Sequence, residues 1–326
     1  MAGPARPQLR VFHEEEIRRR VGPTAALRSA ERAFTALAEG GVVQPPPLAL
    51  ELPEVRGETH VKGAWLRGAP IFAIKAATGF YGNAECGLPT GSGLLLVFDA
   101  ATGFPLGLLA DNGYLTELRT AAAGALAARL LAVPRPERVA VIGTGVQARF
   151  QLRALAEVRQ WRETTAWSPR PAHVEAYCAE LAGVGGAGCV AAPDVETAVR
   201  DADLVITVTP ARSPLVQAGW LAADATVVAV GSDGPEKQEL APAVLGAAAR
   251  VVADLPAQAA RLGEVHHAVE AGVLALDAVE ALGDIVLGRR PARERGGIII
   301  CDLTGLGVQD AALAEVAWAA LTEGAA

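Results

Sequence analysis

Hydrophobic and polar positions alternate in two different ways along this 326-residue chain. From residue 138 onward, short and nearly continuous apolar runs are separated by stretches that suit helices. The runs lie at residues 138–142, 164–167, 188–191, 202–208, 225–230, 250–253 and 297–301. Such runs are typical of strands covered on both faces, and strands separated by helices favour a parallel, doubly wound sheet. The pattern predicts a domain of the α/β class.

The first 115 residues follow a different pattern. Apolar residues recur at helical intervals over residues 12–37, and the prolines at residues 45–47 end this helical region. Extended runs follow at residues 59–62, 71–75, 94–98 and 106–109. Helical periodicity followed by several strands indicates a separate α+β domain.

Two further helices are predicted outside these patterns. Thr116 is predicted to cap a helix rich in small residues, which covers residues 118–128 and joins the two domains. The last helix, at residues 311–321, is predicted to pack against the first domain.

A glycine-rich turn between a strand and a helix is the most informative motif. The turn and the start of the helix comprise Gly143, Thr144, Gly145, Val146, Gln147 and Ala148. Gly143 permits the tight turn, Gly145 lets a pyrophosphate approach the backbone, and Ala148 lets the helix pack near the strand. Free N–H groups at the helix start would face the phosphates. A glycine turn that binds no nucleotide is the alternative, and the surrounding strands and helices favour dinucleotide binding.

Composition excludes several classes of function. The net charge of −7 has acidic and basic residues interspersed, which argues against nucleic-acid binding. The basic residues 18–20 are interpreted as a solvated helix face. The sequence predicts no membrane span and no signal peptide, and therefore a cytoplasmic protein.

Cysteine and histidine positions predict neither a disulfide framework nor a metal site. The cysteines Cys86, Cys178, Cys189 and Cys301 form no C-x-x-C pair, which suits free thiols in a reducing compartment. The adjacent His266 and His267 are expected to point to different helix faces and to bind no common metal.

Several ordered segments resemble the ornithine cyclodeaminase/mu-crystallin family. They lie at residues 74–75, 87–90, 112–123, 141–148, 230–237 and 302–310. Within the family, residues 72–80, 109–114 and 262–267 look most similar to a branch with the ectoine-utilisation cyclodeaminase-like proteins and the iminosuccinate reductases. The resemblance implies a Rossmann-type domain at residues 119–304. It also implies a discontinuous α+β dimerisation and substrate domain, from residues 1–118 and 305–326, and a homodimer.

The resemblance implies three catalytic residues. Asp233 would be the catalytic acid beside the nicotinamide; the alternative is an ordinary turn aspartate in a Gly-Ser-Asp-Gly-Pro sequence. Lys75 would bind the substrate carboxylate, although it could also be a strand-edge charge with its head in water. Arg119 would hold a carboxylate or a cofactor phosphate, although it could also form an ordinary interdomain salt bridge.

The expected cofactor is NADP(H), with NAD(H) as the alternative. NAD-binding proteins place an acid at the end of the second strand, and this chain has Ser168 there, followed by Arg170, which could pair with a 2′-phosphate. The resemblance places Thr90 near the cofactor phosphates. It also assigns Thr209, Ser232 and Lys237 to the cofactor.

The sequence departs from the ornithine cyclodeaminases at one point. Those enzymes carry an additional substrate-binding arginine, whereas residues 42–55 contain none, and Gln44 and Ala49 lie where it is expected. This departure favours an NAD(P)H-dependent imine reductase or amino acid dehydrogenase acting on a small amino or imino acid. The alternatives are an ornithine cyclodeaminase and a mu-crystallin-like protein that binds NADPH and a small ligand.

Overall fold

A computed structural model describes residues 7–293 and 296–323. The strands are β1 (Arg10–His13), β2 (Val42–Val43), β3 (Leu48–Leu52), β4 (Gly57–Leu66), β5 (Ile71–Phe80), β6 (Gly91–Asp99), β7 (Pro105–Ala110), β8 (Arg138–Ile142), β9 (Glu163–Trp167), β10 (Gly188–Ala191), β11 (Leu204–Thr207), β12 (Arg212–Val216), β13 (Thr226–Ala229), β14 (Gln238–Leu240), β15 (Arg250–Ala253), β16 (Glu280–Ala281) and β17 (Ile299–Asp302). The α-helices are α1 (Glu14–Arg20), α2 (Pro23–Ala38), α3 (Tyr114–Leu131), α4 (Val146–Ala156), α5 (Pro171–Leu181), α6 (Val195–Val199), α7 (Pro242–Gly246), α8 (Pro256–Ala259), α9 (Gly263–Glu270), α10 (Leu282–Val286) and α11 (Gly307–Thr322). The chain divides into two compact units: unit 1 holds the described residues up to 119 and from 306 onward, and unit 2 holds residues 120–305.

Unit 1 is built on a mostly antiparallel sheet. Its strand order is β1-β7-β6-β5-β4-β2, and β3 also pairs with β4. The pairing of β1 with β7 is parallel, and the other pairings are antiparallel. Helix α11 packs against α2, β4 and β5. Gly307 permits this approach, because a Cβ atom there would lie 2.9 Å from the carbonyl oxygen of Gly63.

Two local predictions for unit 1 need correction. The helical pattern over residues 12–37 contains β1 and two helices rather than continuous helical structure, since α1 stops before Gly22 and Pro23 starts α2. Thr116 does not cap α3, because the helix begins two residues earlier, at Tyr114. The side chain of Asp111 accepts the N–H of Leu115 at 2.7 Å and supplies that function instead.

Unit 2 confirms the α/β, doubly wound prediction. Its main sheet is parallel throughout, in the order β10-β9-β8-β11-β13-β17-β15-β16. The strand order reverses between β8 and β11, and ligands of such folds bind at the carboxyl ends of the strands beside this reversal. Strands β12 and β14 form a separate two-stranded parallel sheet.

The apolar runs of β8, β11, β13 and β17 occupy the centre of this sheet, whereas the run at residues 188–191 forms edge strand β10, which is largely exposed rather than covered on both faces. Val141, Val205, Val227 and Ile300 are completely buried or nearly so, on strands β8, β11, β13 and β17. Burial on both faces explains why these strands show no polar alternation.

None of the helices in residues 7–293 and 296–323 is long and apolar enough to span a membrane.

Two of the four cysteines lie together in unit 2. The Sγ atoms of Cys178 on α5 and Cys189 on β10 are 3.0 Å apart, and all four cysteines are free thiols. Their proximity could not be read from the sequence, because no short spacing relates the two residues.

Candidate functional site

Unit 1 brings Lys75 and Arg119 to one carboxylate. Lys75 lies on β5, Arg119 lies on α3, and both contact Asp310 on α11. Lys75 Nζ lies 3.0 Å from each Asp310 carboxylate oxygen, and Arg119 Nε donates to Asp310 Oδ1 at 2.9 Å. Arg119 also donates to Gln309 Oε1 at 3.2 Å. Because all these side chains are buried, the cluster is a preorganised group of charges rather than a surface ion pair.

Burial determines the protonation of this cluster. Removal of Lys75 from water lowers its pKa to about 7; the nearby Asp310 opposes this shift, whereas Arg119 and Lys62 add to it. Burial alone would raise the pKa of Asp310, but Arg119, Lys75 and Lys62 bring it below its ordinary value. Asp310 is therefore ionised at neutral pH, whereas Lys75 is close to its titration midpoint.

Sequence reasoning missed two titratable groups beside these residues. Lys62 on β4 lies directly opposite Lys75 in the strand register and is 7% exposed. Asp111 is fully buried, and burial raises its pKa to about 6, against the effect of the Leu115 and Gly113 N–H groups. A charged residue within a strand is the sequence signal for Lys62, but pairing with Lys75 is visible only in the sheet.

The other residues considered in unit 1 occupy different places. Thr90 is half-buried, and its carbonyl oxygen accepts the N–H of Phe80 at 2.7 Å. Gln44 accepts the N–H of Val308 at 3.1 Å and so ties the start of α11 to the chain before β3, whereas Ala49 is exposed on β3. Neither residue carries a positive charge, so neither takes the place of the additional substrate-binding arginine of the ornithine cyclodeaminases.

The glycine turn of unit 2 has the geometry of a phosphate cradle. Gly143 has a φ of +110°, and a Cβ atom there would lie 2.6 Å from the carbonyl oxygen of Val208. A Cβ atom at Gly145 would meet nothing within 4 Å, and no side chain caps the N–H groups of α4. Arg149 Nη1 holds the turn by donating to the carbonyl oxygens of Thr144 and Gly145, at 2.6 and 3.0 Å. Open space next to the first N–H groups of α4 fits a dinucleotide pyrophosphate.

Val146 and Gln147 begin helix α4 behind this turn. The Val146 side chain is 58% exposed, and Gln147 accepts a hydrogen bond from Gln151 at 3.1 Å.

Ser168 joins the glycine turn to a small cavity. Thr144 Oγ1 donates to Ser168 Oγ at 3.0 Å. Ser168 also lines a cavity of ≈ 280 Å³. The other lining residues are Trp167, Pro171, Val174, Glu175, Ala191, Ala192 and Pro193. Arg170 is exposed immediately before α5. The cavity opens where β9 and β10 end, beside the turn that would hold the pyrophosphate.

A buried carboxylate that sequence reasoning missed connects the ends of two strands, β11 and β13. Glu239 accepts the Thr207 hydroxyl at 2.8 Å, the Thr209 N–H at 2.5 Å and the Gly231 N–H at 2.9 Å. Burial raises its pKa to about 7, although the bonds from Thr209, Thr207 and Gly231 oppose that shift. Glu264 in turn accepts the N–H groups of Glu239 and Leu240.

Asp233 lies just after the Gly231 end of this network. Lys237 Nζ donates to Asp233 Oδ1 at 2.7 Å, and the Asp233 side chain is 43% exposed. Ser232 is buried, and its hydroxyl donates to the Lys237 carbonyl oxygen. Unit 2 therefore links Thr209, Ser232, Asp233 and Lys237 at the carboxyl ends of β11 and β13. This is the sheet edge at which doubly wound folds bind ligands.

His266 and His267 lie closer together than their positions on different helix faces suggested. Their ring centroids are 5.0 Å apart, because consecutive helical residues diverge by only about 100°. With Glu270 they form a group whose ligand atoms lie within 4.8 Å of one another. His267 Nε2 is 3.0 Å from the Lys237 carbonyl oxygen. This bond fixes one ring nitrogen beside the Asp233 turn.

Comparison with known proteins gives close matches over nearly the whole chain. A putative dehydrogenase of Rhizobium meliloti is 42% identical over 315 residues, which cover 96% of this chain and 95% of that protein. An archaeal alanine dehydrogenase dimer with bound NAD superposes with a TM-score of 0.90 at 33% identity, over 98% of this chain and 97% of that one. The Δ1-pyrroline-2-carboxylate reductase of Thermococcus litoralis, in complex with NADH and L-proline, gives 0.92 at 26%, over 97% and 98%.

The family model for these proteins matches residues 9–324. That range contains all of unit 2 and nearly all of unit 1, with the charge cluster around Asp310 and the strand ends around Asp233. The chain belongs to the ornithine cyclodeaminase/mu-crystallin family.

Proposed function

We propose that this protein is an NAD(P)H-dependent imine reductase that also runs in reverse as an amino acid dehydrogenase. The reaction joins a hydride and a proton to the C=N bond of an imino acid and gives the amine at Cα. The observation that carries the proposal is the hydrogen-bonded connection in unit 2 between Thr209, Glu239 and the Gly231–Asp233 turn. The activities of the similar alanine dehydrogenase and pyrroline-2-carboxylate reductase support the same reaction type.

The cofactor supplies the hydride when it is bound, and the glycine turn supplies its phosphate site. Gly143 and Gly145 leave the backbone accessible, and the start of α4 offers N–H groups to the pyrophosphate. Thr209, Ser232 and Lys237 flank the same strand ends and are proposed to contact the cofactor. Thr90 is proposed as a phosphate-binding hydroxyl.

The α-carboxylate of the substrate is assigned to Lys75 and Arg119. Asp310 already orients both cations, so little side-chain entropy is lost when a carboxylate binds. Arg119 presents a planar fork that suits a carboxylate, and Lys75 adds a compact charge. These interactions orient the reacting carbon and persist throughout the reaction.

Asp233 is assigned the acid–base role. A carboxylate near the imine nitrogen stabilises the cationic iminium, whose carbon accepts a hydride more readily than that of a neutral imine. Its partial exposure permits proton exchange with solvent, and Lys237 lies beside it as a positively charged neighbour. Lys237 must release Asp233 when a substrate cation arrives.

Turnover assays with purified protein test this function. We expect net oxidation of NAD(P)H with 2-oxo acids plus ammonia or methylamine, or with cyclic imino acids. Release of ammonia from L-ornithine without net NAD(P)H consumption would instead indicate a cyclodeaminase. Cofactor binding with no turnover of any substrate would indicate a binding protein.

Asp233→Asn should lower turnover strongly in the same assays. Loss of a positioned acid–base group costs about 10²–10⁴-fold, whereas cofactor affinity should change little, because the pyrophosphate site is separate. Glu236→Gln is the matched control, since Glu236 lies in the same turn with an exposed side chain. Near-full activity of Asp233→Asn would show that Asp233 is only a turn residue.

Carboxylate binding should weaken as the pH rises above 7. The pKa of Lys75 is about 7 in the folded protein and 10.5 in a free side chain, so Lys75 loses its charge above pH 7 unless a ligand retains the proton. The inhibition constant of pyruvate without ammonia should therefore rise by up to about tenfold per pH unit.

The Lys75→Arg variant tests whether the pH dependence of carboxylate binding arises from Lys75 or from another group. Arginine stays protonated, so the pH dependence should largely disappear, while Glu239, with a pKa of about 7, is retained in both proteins. A flat inhibition profile between pH 6.5 and 9 in the unmodified protein would contradict the role of Lys75.

NADPH is expected to bind more tightly than NADH. Ser168 lines the cavity beside the glycine turn without adding negative charge, and the exposed Arg170 is available to a 2′-phosphate. Ser168→Asp should reverse the preference by repelling that phosphate, whereas Ser168→Ala should not. Fluorescence titration that finds tighter NADH binding by the unmodified protein would refute this assignment.

A homodimer formed through unit 1 is the expected assembly. Strand β3 exposes Leu48 and Leu50, which are 61% and 53% exposed, and the similar archaeal alanine dehydrogenase is a dimer. Light scattering should give twice the chain mass, and Leu50→Asp should shift it toward the monomer. Val190→Asp, on edge strand β10 of unit 2, is the control. A monomeric mass of the unmodified protein at micromolar concentration would exclude this assembly.

A further inference from the structure

Helix α9 of unit 2 brings three potential metal ligands together. One ligand atom from each of His266, His267 and Glu270 lies within 4.8 Å of those from the other two. Glu270 follows His266 by four positions and His267 by three, and these are the spacings at which helical side chains meet. Adjacent helical positions diverge, which argues against a shared metal, but an angle of about 100° still allows both rings to reach Glu270. The helix therefore gathers two imidazoles and one carboxylate.

The separation of His266 and Glu270 fits metal coordination better than a direct hydrogen bond. His266 Nε2 lies 3.6 Å from Glu270 Oε2, which is beyond hydrogen-bond distance. Around a tetrahedral zinc ion with bonds of about 2.0–2.2 Å, neighbouring ligand atoms lie about 3.4 Å apart. The Glu270 side chain is 66% exposed, so it is free to rotate toward an ion. Small side-chain movements are enough to complete the group.

His267 is oriented in the way that metal-bound histidines are. Its Nε2 lies 3.0 Å from the carbonyl oxygen of Lys237. Because a carbonyl oxygen only accepts, Nε2 carries the proton, and in the neutral ring Nδ1 retains the lone pair that a metal requires. Histidine ligands almost always donate their other ring N–H to a carbonyl or carboxylate oxygen, which fixes the ring and its tautomer. The bond to Lys237 therefore leaves Nδ1 as the ligand atom of His267.

We propose that His266, His267 and Glu270 bind a divalent transition-metal ion such as zinc, with water at the remaining coordination position. Two imidazoles with one carboxylate suit zinc, nickel or copper, whereas magnesium and calcium prefer sites made of oxygen atoms. The ion lies outside the reaction proposed above. It is a regulatory ligand rather than a reactant.

The ion acts on the turn that holds Asp233. The Lys237 carbonyl oxygen accepts the Ser232 hydroxyl as well as His267, and Lys237 Nζ donates to Asp233 Oδ1 at 2.7 Å. A metal ion on Nδ1 gives the ring positive character, which strengthens the hydrogen bond from Nε2. Metal binding thus stabilises the arrangement in which Lys237 occupies Asp233, and it slows turnover. This last step rests on the proposed function, whereas metal binding does not.

Calorimetric titration of the purified full chain with zinc chloride tests the site. We expect one ion per chain, with a dissociation constant on the order of 1–10 μM, and no binding of magnesium chloride at the same concentrations. His266→Gln and Glu270→Gln should each weaken zinc binding by at least about tenfold, since even outer-shell partners of a metal contribute that much. His173→Gln is the matched control, because His173 is an exposed histidine on α5, and it should leave zinc binding unchanged.

Hydrogen exchange tests the link to Asp233 without any turnover. Zinc should slow the exchange of backbone N–H groups in residues 231–237 of the unmodified protein and of His173→Gln, but not of Glu270→Gln. In turnover assays with imino acids, the same free zinc concentration should lower the rate several-fold. Glu270→Gln should remove this inhibition.

The possible contrary results separate the steps of the inference. Failure of zinc to bind the unmodified protein, or equal zinc affinity in the unmodified protein and the His266→Gln and Glu270→Gln variants, would overturn the site. In the second case the ion would belong to other groups, such as the thiols of Cys178 and Cys189. Zinc binding at α9 with unchanged exchange in residues 231–237 would overturn the link to Asp233. The proposed function fails separately, if zinc binds and slows exchange but no imino acid is reduced.

Discussion

The carboxylate of Asp310 is the interaction on which the charged face of unit 1 depends. It holds a lysine 235 residues away in sequence and an arginine 191 residues away. Removing one partner from a buried ion pair costs about 3–5 kcal/mol, because the remaining charge is then unbalanced. Asp310 therefore does more than complete a salt bridge, since it allows Lys75, Arg119 and Lys62 to occupy one dehydrated region. The same cations lower the pKa of Asp310 and so keep its carboxylate ionised.

In unit 2, backbone N–H groups rather than cations stabilise a buried carboxylate. Glu239 accepts two N–H groups and a hydroxyl from the ends of two strands, and so fixes the backbone just before Asp233. Further buried acids continue this network. Glu264 accepts the N–H groups of Glu239 and Leu240 on β14, and Asp302 accepts the N–H of Val265. Burial raises the pKa of both Glu264 and Asp302 well above ordinary values. Neighbouring carboxylates add to each shift: Asp302 and Glu239 raise the pKa of Glu264, and Asp254 and Glu239 raise that of Asp302. Each unit thus positions its candidate site residues by a carboxyl group that is itself buried.

The sequence predicted those features that depend on local order. The glycine turn, the buried strands of unit 2 and the strands of unit 1 follow from periodicity and turn composition, because these reflect neighbours within a few residues. The positions of Asp310, Glu239 and Lys62 beside the candidate site residues could not be predicted in this way, since their neighbours are set by tertiary packing. The start of α3 was misplaced for a related reason: Asn112 and Gly113 adopt positive φ angles, which bring Asp111 rather than Thr116 to the helix start. The proximity of His266 and His267 does not follow from their different helix faces alone, because an angle of about 100° still lets two adjacent rings approach each other.

The discontinuity of unit 1 has a consequence for biosynthesis. Every residue of unit 2 leaves the ribosome before α11 is made, because α11 begins at Gly307. Domains generally fold as units during synthesis, and the domain nearer the N-terminus usually folds first. Here that order is reversed, since β4 and β5 must wait for α11 to cover them and for Asp310 to neutralise their lysines. The nascent chain therefore holds an incomplete sheet of unit 1 while the whole of unit 2 is made, and α11 completes unit 1 only afterwards.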